Sequence, residues 1–321
     1  MKHKDDAFAT MLLMSQISAE KEELVHPLSV GEYYRLKEKV AGTTGRRVGS
    51  LIGKDISAVR QMLDAEEEEA YRVCVLMSRV MQLSYAIERF VQQGIDICTL
   101  DEPEYPKRLI ERLGEKAPPM LYSCGDRALS GRLSVALIGT GVLRSETRQA
   151  ADSLLRATVE AGLTVVTGGR NGFDRMAEER LTALGGSFVE ILAESLSEKA
   201  LRPGVSEMIA NGRALLISSF HPDARYTLSH ALEANKCVYA LSNAAIVLQC
   251  EKGKDGVWEG ACSALRNRFT ERVYVWENPD LPGNMELIAR GATAFSDPAR
   301  LPLGQLSRQW AAPPFEQISF I

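Results

Sequence analysis

The sequence predicts an α/β protein in which a small all-helical domain precedes a doubly wound, mostly parallel sheet. Three observations predict this fold class. Beyond residue 131, short β-rich runs alternate with amphipathic helical patterns, which is typical of right-handed βαβ units. The first 97 residues show helical periodicity and almost no strand signal. The chain has 321 residues, enough for about two domains of roughly 150 residues each.

The composition is that of a globular protein, since 45% of the residues are hydrophobic and 25% are charged. These proportions exclude disordered, collagen-like and coiled-coil chains. A net charge of −4 excludes a uniformly basic DNA coat, although a local basic pocket remains compatible with it. The six cysteines are scattered without metal-ligand spacing, which predicts reduced, mostly buried thiols of a cytoplasmic protein. We find neither a signal-peptide pattern nor an apolar run of about 18 residues, so no membrane segment is expected.

The predicted helical domain covers residues 1–97. Its first 25 residues are expected to form a frayed or loosely docked helix, and helical periodicity continues from Ser29 to about Gln93. The acidic run Glu66–Glu69 is most simply a solvated helix face. A connecting segment over residues 98–130 follows, where several prolines interrupt regular structure.

Residues 131–298 form the predicted Rossmann-like core, and a Pro-rich tail over residues 299–321 is expected to wrap the surface. The predicted strands are Val135–Ile138, Leu163–Thr167, Phe188–Leu192, Ala214–Ser218, Ala244–Leu248 and Arg272–Trp276. The predicted helices between and after them are Ser145–Ala161, Asp174–Leu184, Val205–Ala210, Tyr226–Leu241 and Trp258–Arg268.

Ligands of an open parallel sheet bind at the carboxyl ends of its strands, so the loops that follow the strands carry the functional prediction. The first loop, Gly139–Ser145, joins a strand to a helix. Its glycines allow the backbone to approach an anion, and Arg144 adds a positive charge. Ser145 is a plausible N-cap of the helix, whose exposed N–H groups favour phosphate. A tight turn without a ligand is the alternative interpretation.

The second loop, Thr167–Asp174, holds three glycines, an arginine and an asparagine between a strand and a helix. This is an entropically costly composition for a mere connector. Gly168, Gly169 and Arg170 suit an anion-binding nest. Asp174 suits the N-cap position, which is its structural role if no ligand binds.

The third loop, Lys252–Gly260, brings two lysines and a flexible backbone to the start of a helix. Contact with a phosphate and a merely solvated charged turn are both compatible with this pattern. Trp258 either stacks on a base or packs inside the fold. His221-Pro222 after a strand either lines a pocket or belongs to loop structure.

The sequence contains no arrangement of residues that indicates catalysis. The four histidines lie near no nucleophile motif, and neither a Walker A pattern, an HExxH motif nor zinc-ligand spacing is present. A non-catalytic binding protein without cofactor or metal is therefore favoured over a hydrolase.

Several motifs, in order, resemble those of the DNA-processing protein A (DprA/Smf) family across about residues 100 to 297. They are Tyr105-Pro106-x-x-Leu109, Pro118-Pro119-Met120-Leu121-Tyr122-x-x-Gly125, Gly139-Thr140, the run from Thr167 to Asp174 with Ala177, Asn235-Lys236 with Ala240-Leu241-Ser242, Lys254-Asp255-Gly256-Val257-Trp258-x-Gly260-Ala261, and Gly283-Asn284 with Gly291-Ala292.

The resemblance implies a protein that binds single-stranded DNA in a basic pocket of a Rossmann-like core, often as a homodimer, and hands the strand to a RecA-type recombinase. Such binding rests on phosphate contacts with little sequence preference. The residues that the resemblance and the loops assign to phosphate binding are Gly139, Thr140, Arg144, Ser145, Gly168, Gly169, Arg170, Asn171, Asn235, Lys236, Lys254, Gly256 and Trp258.

Three positions depart from the family pattern. The arginine of the family's first loop is Gly141 here, so Arg144 would substitute for it. The arginine before Asn235 is Ala234, and the histidine after Ala177 is Glu178. These losses of positive charge favour a weaker affinity for DNA or a different anionic ligand.

Two other functions therefore stay open. One is a nucleotide-binding protein, or a nucleoside-monophosphate N-glycosidase of the related lysine-decarboxylase-like class, in which Glu259 would stabilise a ribosyl cation. The expected Pro-Gly-Gly loop and threonine of that class are missing around Glu259. The other is a scaffold or sensor whose helical domain or Pro-rich tail binds a protein partner.

Overall fold

The computed structural model of the chain describes residues 4–17, 25–254 and 256–311. Over these residues, helices surround a nine-stranded, mostly parallel sheet. The chain divides into two compact units, of which the first comprises Met1–Arg127 with Ile191–Cys237 and the second comprises Ala128–Glu190 with Val238–Ile321. The domain boundaries predicted near residues 97, 130 and 298 stay a prediction.

Helices make up most of the regular structure over these residues. The described helices are α1 (Lys4–Met14), α2 (Val30–Thr44), α3 (Ile56–Leu63), α4 (Glu67–Met77), α5 (Val80–Gln92), α6 (Lys107–Leu113), α7 (Ser145–Glu160), α8 (Phe173–Leu184), α9 (Leu196–Ala200), α10 (Pro203–Ala210), α11 (Leu228–Leu241), α12 (Gly256–Asn267), α13 (Pro282–Ala289) and α14 (Leu303–Ala311). The described strands are β1 (Asp96–Thr99), β2 (Met120–Gly125), β3 (Ser134–Gly139), β4 (Thr164–Thr167), β5 (Phe188–Ile191), β6 (Ala214–Ser218), β7 (Ala244–Gln249), β8 (Arg272–Trp276) and β9 (Thr293–Phe295).

The first unit contains the helical region and the antiparallel strand group β1-β2-β6, in which Cys98 pairs with Leu121 and Tyr122 pairs with Ser218. Helices α1 to α5 share one hydrophobic core. The apolar stretch from Val59 to Gln93 is divided into three helices. Asp64, which adopts a left-handed conformation with φ of +46°, ends the first of them, and Ser78 and Arg79 separate the second from the third. The run Glu66–Glu69 is exposed, which confirms the predicted solvated face.

Helix α1 corrects the prediction of a frayed N-terminal helix. Ala9, Leu12 and Leu13 are completely buried in the helical core. The hydroxyls of Thr10 and Tyr33 are 2.8 Å apart and share a hydrogen bond. The sequence of α1 is apolar on more than one side and lacks a clear amphipathic period, so its docked state was not visible in the pattern. The rest of the predicted N-terminal helix, residues 1–3 and 18–24, lies outside the described residues.

The second unit contains parallel strands in the order β5-β4-β3-β7-β8-β9. From β3 the chain builds outward in one direction to β4 and β5, and later in the other direction to β7, β8 and β9. The order thus reverses between β3 and β7, which is the topological switch point where ligands of such sheets bind. The central strands are buried along almost their whole length, which confirms the α/β prediction for this part of the chain.

The predicted tail begins as regular structure. Residues 303–311 form α14, which packs on α7, and Leu301 and Leu303 are buried. The expectation that the tail wraps the surface stays a prediction, and residues 312–321 lie outside the described residues. Five of the six cysteines are buried, Cys74 is partly exposed, and all six are free thiols. Among the described residues, the helices are too short or too polar to cross a membrane.

Candidate nucleic-acid interface

The first loop leads from β3 into α7 and is held in place by Gln249 at the end of β7. The Gln249 side chain donates to the Thr140 hydroxyl and to the Val142 carbonyl, both at 3.0 Å. It accepts from the Arg144 amide at 3.3 Å and from the Thr147 hydroxyl at 2.9 Å. The first loop is therefore hydrogen-bonded along its length to the end of β7.

The N-cap prediction for Ser145 is wrong by one residue. Helix α7 begins at Ser145, and the N-cap is Arg144, whose side chain makes no capping hydrogen bond. The Arg144 amide already donates a hydrogen bond to the Gln249 side chain. The amides available to a ligand are therefore those of the first turn of α7, where the helix dipole is positive. The Arg144 side chain is exposed at the same end of the helix. This arrangement suits an incoming anion.

The second loop leads from β4 into α8 and contains two left-handed glycines, Gly169 with φ of +66° and Gly172 with φ of +90°. The Asp174 carboxylate accepts the backbone amide of Arg170 at 3.1 Å. Asp174 is the second residue of α8 and Gly172 is its N-cap, so the N-cap prediction for Asp174 is wrong. Its carboxylate stabilises the loop from inside the first turn and leaves Arg170 exposed.

The first and second loops approach each other through their backbones. A Cβ atom on Gly172 would lie 2.6 Å from the Cα of Gly141 and would also collide with the Gly141 carbonyl oxygen. A Cβ on Gly139 would lie 3.0 Å from the ring of Phe173. Glycine is therefore required for the close approach of the two loops.

Two exposed arginines, Arg144 and Arg170, belong to these two loops. Behind them, α7 and α8 are joined by an ion-pair cluster in which Asp152 contacts Arg156 and Arg180. Burial acts to raise the pKa of Asp152, but hydrogen bonds from both guanidinium groups outweigh it and lower that pKa. The cluster fixes the two helices whose N-termini face the candidate site.

The third loop follows β7 and carries lysines that already have acidic partners. The Nζ of Lys252 lies 3.3 Å from a Glu286 carboxylate oxygen, and the Nζ of Lys254 lies 3.9 Å from Glu251. Hydrogen bonds from Lys252 and Arg290 lower the pKa of Glu286. Both lysine side chains remain exposed, so each can exchange its carboxylate for a phosphate.

Trp258 does not present its ring to a base. The residue is only 6% exposed, and the Arg290 guanidinium lies 5.0 Å from the centroid of its ring. This cation–π packing favours a structural role and corrects the stacking interpretation. Gly256 is the first residue of α12, and Asp255 lies outside the described residues.

Asn235 and Lys236 lie on α11 in the first unit. Both are partly buried, and the Nζ of Lys236 lies 2.6 Å from a Glu233 carboxylate oxygen. Their participation in a common site with the three loops stays a prediction. His221, in the same unit, is buried, and its Nδ1 accepts a hydrogen bond from the Asp223 amide at 3.1 Å. It also lines a cavity together with Phe220 and His230, so both interpretations of His221-Pro222 agree with the structure.

Sequence reasoning missed Gln249 and the part that Asn284 plays. The Asn284 side chain is completely buried, accepts the Cys250 amide at 3.0 Å, and donates to the carbonyls of Leu248 and Trp276. A polar residue directly after a buried apolar strand was the available signal for Gln249. Over the described residues, no group of three or more metal-ligating side chains is present.

A protein-family model, described as DNA recombination-mediator protein A, matches residues 96–302. DNA processing protein A (DprA) from Streptococcus pneumoniae is 17% identical, with 90% of this chain and 99% of that chain covered and a TM-score of 0.61. DNA processing protein A from Helicobacter pylori, whose structure concerns its single-stranded DNA binding mode, is 22% identical, with coverages of 68% and 97% and a TM-score of 0.53. No curated protein matches the chain. The two structural likenesses confirm the predicted fold, and the family match confirms the resemblance.

Proposed function

The chain belongs to the DNA recombination-mediator protein A family, and from this premise we propose that it binds single-stranded DNA without catalysing a reaction on it. The phosphates of the strand would bind at the carboxyl edge of the second unit's sheet, along the first and second loops. Binding of this kind depends on charge and backbone geometry and has little sequence preference.

One observation carries the proposal more than any other. Arg144 and Arg170 are exposed on two glycine loops whose backbones touch at Gly141 and Gly172. The loops lead into the N-termini of α7 and α8, where backbone amides and the helix dipoles favour negative charge. Two guanidinium groups and two helix N-termini thus lie at the carboxyl edge of the same sheet, which suits the binding of neighbouring phosphates of one DNA strand.

The residues proposed to contact DNA are the exposed or backbone groups of the three loops in the second unit and, as a separate proposal for the first unit, the pair Asn235 and Lys236 on α11. They are Gly139, Thr140, Arg144, Ser145, Gly168, Gly169, Arg170, Asn171, Lys254, Gly256, Asn235 and Lys236. Trp258 is not one of them because its ring is buried. The family resemblance also supports action as a homodimer in the cytoplasm, with a RecA-type recombinase as partner.

Fluorescence anisotropy of a labelled oligo-dT strand of about 30 nucleotides tests this proposal. We expect binding that weakens steeply with salt and is displaced by unlabelled single strands, but neither by an equal mass of duplex nor by nucleoside monophosphates. Displacement by monophosphates with release of free base would instead support the N-glycosidase alternative. In that case Glu259→Gln, at an exposed position of the first turn of α12, would abolish base release.

A further inference from the structure

The end of β7 is built to aim Gln249 at the first loop. Ile138 of β3 pairs with Val247, but Gly139 pairs with Gln249, so β7 contains one extra residue at this point. Such a bulge redirects the side chains that follow it. The backbone around the bulge is fixed, because Asn284 bonds to Leu248 and Cys250 on either side of Gln249.

The Gln249 side chain is buried and uses all of its hydrogen-bonding capacity on the first loop and the first turn of α7. Its Nε2 donates to the Thr140 hydroxyl and the Val142 carbonyl, while its Oε1 accepts from the Arg144 amide and the Thr147 hydroxyl. Two donors and two acceptors are the full complement of a carboxamide. The Thr140 hydroxyl in turn donates to Val142 at 3.1 Å, which closes the network.

We propose that Gln249 is the positioning residue of the DNA-binding site: its neutral carboxamide holds the first loop in the conformation that presents Arg144 and the α7 N-terminus to a phosphate. This inference rests on the proposed function. Gln249 itself is buried beneath the loop and acts through Arg144.

A carboxylate of the same shape cannot replace the carboxamide. A glutamate at this position keeps the two acceptor bonds but has no donor for the Thr140 hydroxyl or the Val142 carbonyl. Its oxygen would then face the carbonyl oxygen of Val142 at close range. It would also place a negative charge beneath a phosphate, in surroundings where the charge is poorly screened. Leucine, of similar volume, removes all four bonds and adds no charge.

The experiment compares Gln249→Glu and Gln249→Leu with the unaltered full-length protein. DNA affinity and its salt slope are measured by oligo-dT anisotropy, and the loop itself is followed by hydrogen exchange of the peptide covering residues 139–147. We expect affinity to fall roughly 10- to 100-fold, as loss of a buried hydrogen-bond network would predict. The salt slope should fall by about 0.7, because one phosphate is no longer neutralised, and the loop amides should exchange faster.

Thr270→Val is the matched control. The Thr270 hydroxyl is also buried and bonds to the carbonyls of Ser242 and Asn243 at the opposite end of the same sheet. Loss of this hydroxyl should lower the unfolding temperature about as much as the Gln249 substitutions do. The DNA affinity and the salt slope of Thr270→Val should stay those of the unaltered protein. This variant separates a positioning role from general destabilisation.

Two results would overturn the inference. One is normal DNA affinity and salt slope in both Gln249 variants despite faster loop exchange. The other is unchanged loop exchange, which contradicts the positioning role whether or not DNA binds. Absence of DNA binding by the unaltered protein would refute the proposed function instead, so the two failures are distinguishable.

Discussion

Gly172 of the second loop lies so close to the backbone of Gly141 in the first loop that a side chain on Gly172 would collide with it. Gly172 has φ of +90°, and a Cβ at this position would lie 2.6 Å from the Gly141 Cα. The contact joins the loops that carry Arg144 and Arg170. The spacing of the two arginines therefore depends on a residue that has no side chain.

Replacement of Gly172 by alanine should separate the two loops. We expect a loss of about 1–3 kcal/mol in unfolding free energy from backbone strain, together with weaker binding of oligo-dT. Urea unfolding and anisotropy measure the two effects. Gly162→Ala is the control, because Gly162 has φ of +67° but open space around its Cβ position. It should lose stability without losing affinity, and equal affinity losses in the two variants would contradict the role of the contact.

Asn284→Ala should destabilise the fold far more than loss of an exposed asparagine does. Its side chain makes three hydrogen bonds to the backbone and is completely buried. Removal leaves buried groups unsatisfied, so we expect a loss of about 2–4 kcal/mol. Asn267→Ala, at an exposed position of α12, should change the free energy by less than about 0.5 kcal/mol. A loss below about 1 kcal/mol for Asn284→Ala would contradict the stabilising role of these three hydrogen bonds.

The Glu32–Arg72 pair should make the helical region sensitive to acid. Burial acts to raise the pKa of Glu32, but hydrogen bonds from Arg72 and Ser29 outweigh it and lower the pKa from 4.5 to about 2. The ionised carboxylate therefore contributes stability that is fully present above about pH 4.5 and is lost as the pH falls toward 2. The side chain is 34% exposed, so solvent screening limits the contribution to roughly 1–2 kcal/mol.

Urea unfolding of Glu32→Gln at pH 7 and at pH 3 measures this contribution. The glutamine keeps the capping geometry beside Ser29 and removes only the charge. We expect a clear stability deficit at pH 7 and a smaller one at pH 3. Glu69→Gln, whose partner Lys39 is comparably exposed, should show little deficit at either pH. A Glu32→Gln deficit that is independent of pH would show that the charge is not responsible.

Thiol labelling should distinguish Cys74 from the other five cysteines. Burial raises the pKa of Cys98 and Cys237 to about 12, which suppresses the reactive thiolate. Burial and the nearby Asp55 also raise the pKa of Cys74, so its faster reaction rests on its partial exposure, since the other five thiols are buried. We expect one thiol per native chain to react rapidly with Ellman's reagent at pH 8, and all six after unfolding. The rapid reaction should vanish in Cys74→Ser, and rapid reaction of several thiols would contradict the burial of the other five.

The parallel core was predictable because its strands are buried on both faces and therefore read as continuous apolar runs. The predicted bounds of β8 agree with the structure, as do those of β6, which pairs antiparallel with β2. The predicted bounds of β4, β5 and β7 differ by one residue at one end, and those of β3 differ by one residue at both ends. Strands β1, β2 and β9 were missed. The first two flank proline-rich segments, and β9 has only three residues. Neither situation leaves a periodic signal.

The loops of the candidate site were visible in the sequence, but their internal geometry was not. Glycine and arginine between a strand and a helix indicate an anion site, and this indication does not depend on the exact conformation of the loop. The cap residues at Ser145 and Asp174 were misassigned because each depends on a hydrogen bond of the loop, to Gln249 and to Arg170. The bulge that places Gln249 depends on pairing between strands more than 100 positions apart, which no local pattern contains.

The central claim is that Arg144 and Arg170 bind neighbouring phosphates of single-stranded DNA, and the salt dependence of oligo-dT binding by the double alanine variant tests it most directly. The claim predicts that the slope of log affinity against log salt falls by about 1.4, which is 0.7 for each phosphate that is no longer neutralised. Arg266→Ala with Arg272→Ala removes the same charge from exposed positions at the opposite end of the strands and should leave the slope unchanged. An unchanged slope in the Arg144 and Arg170 variant, or an equal change in both variants, would contradict the claim.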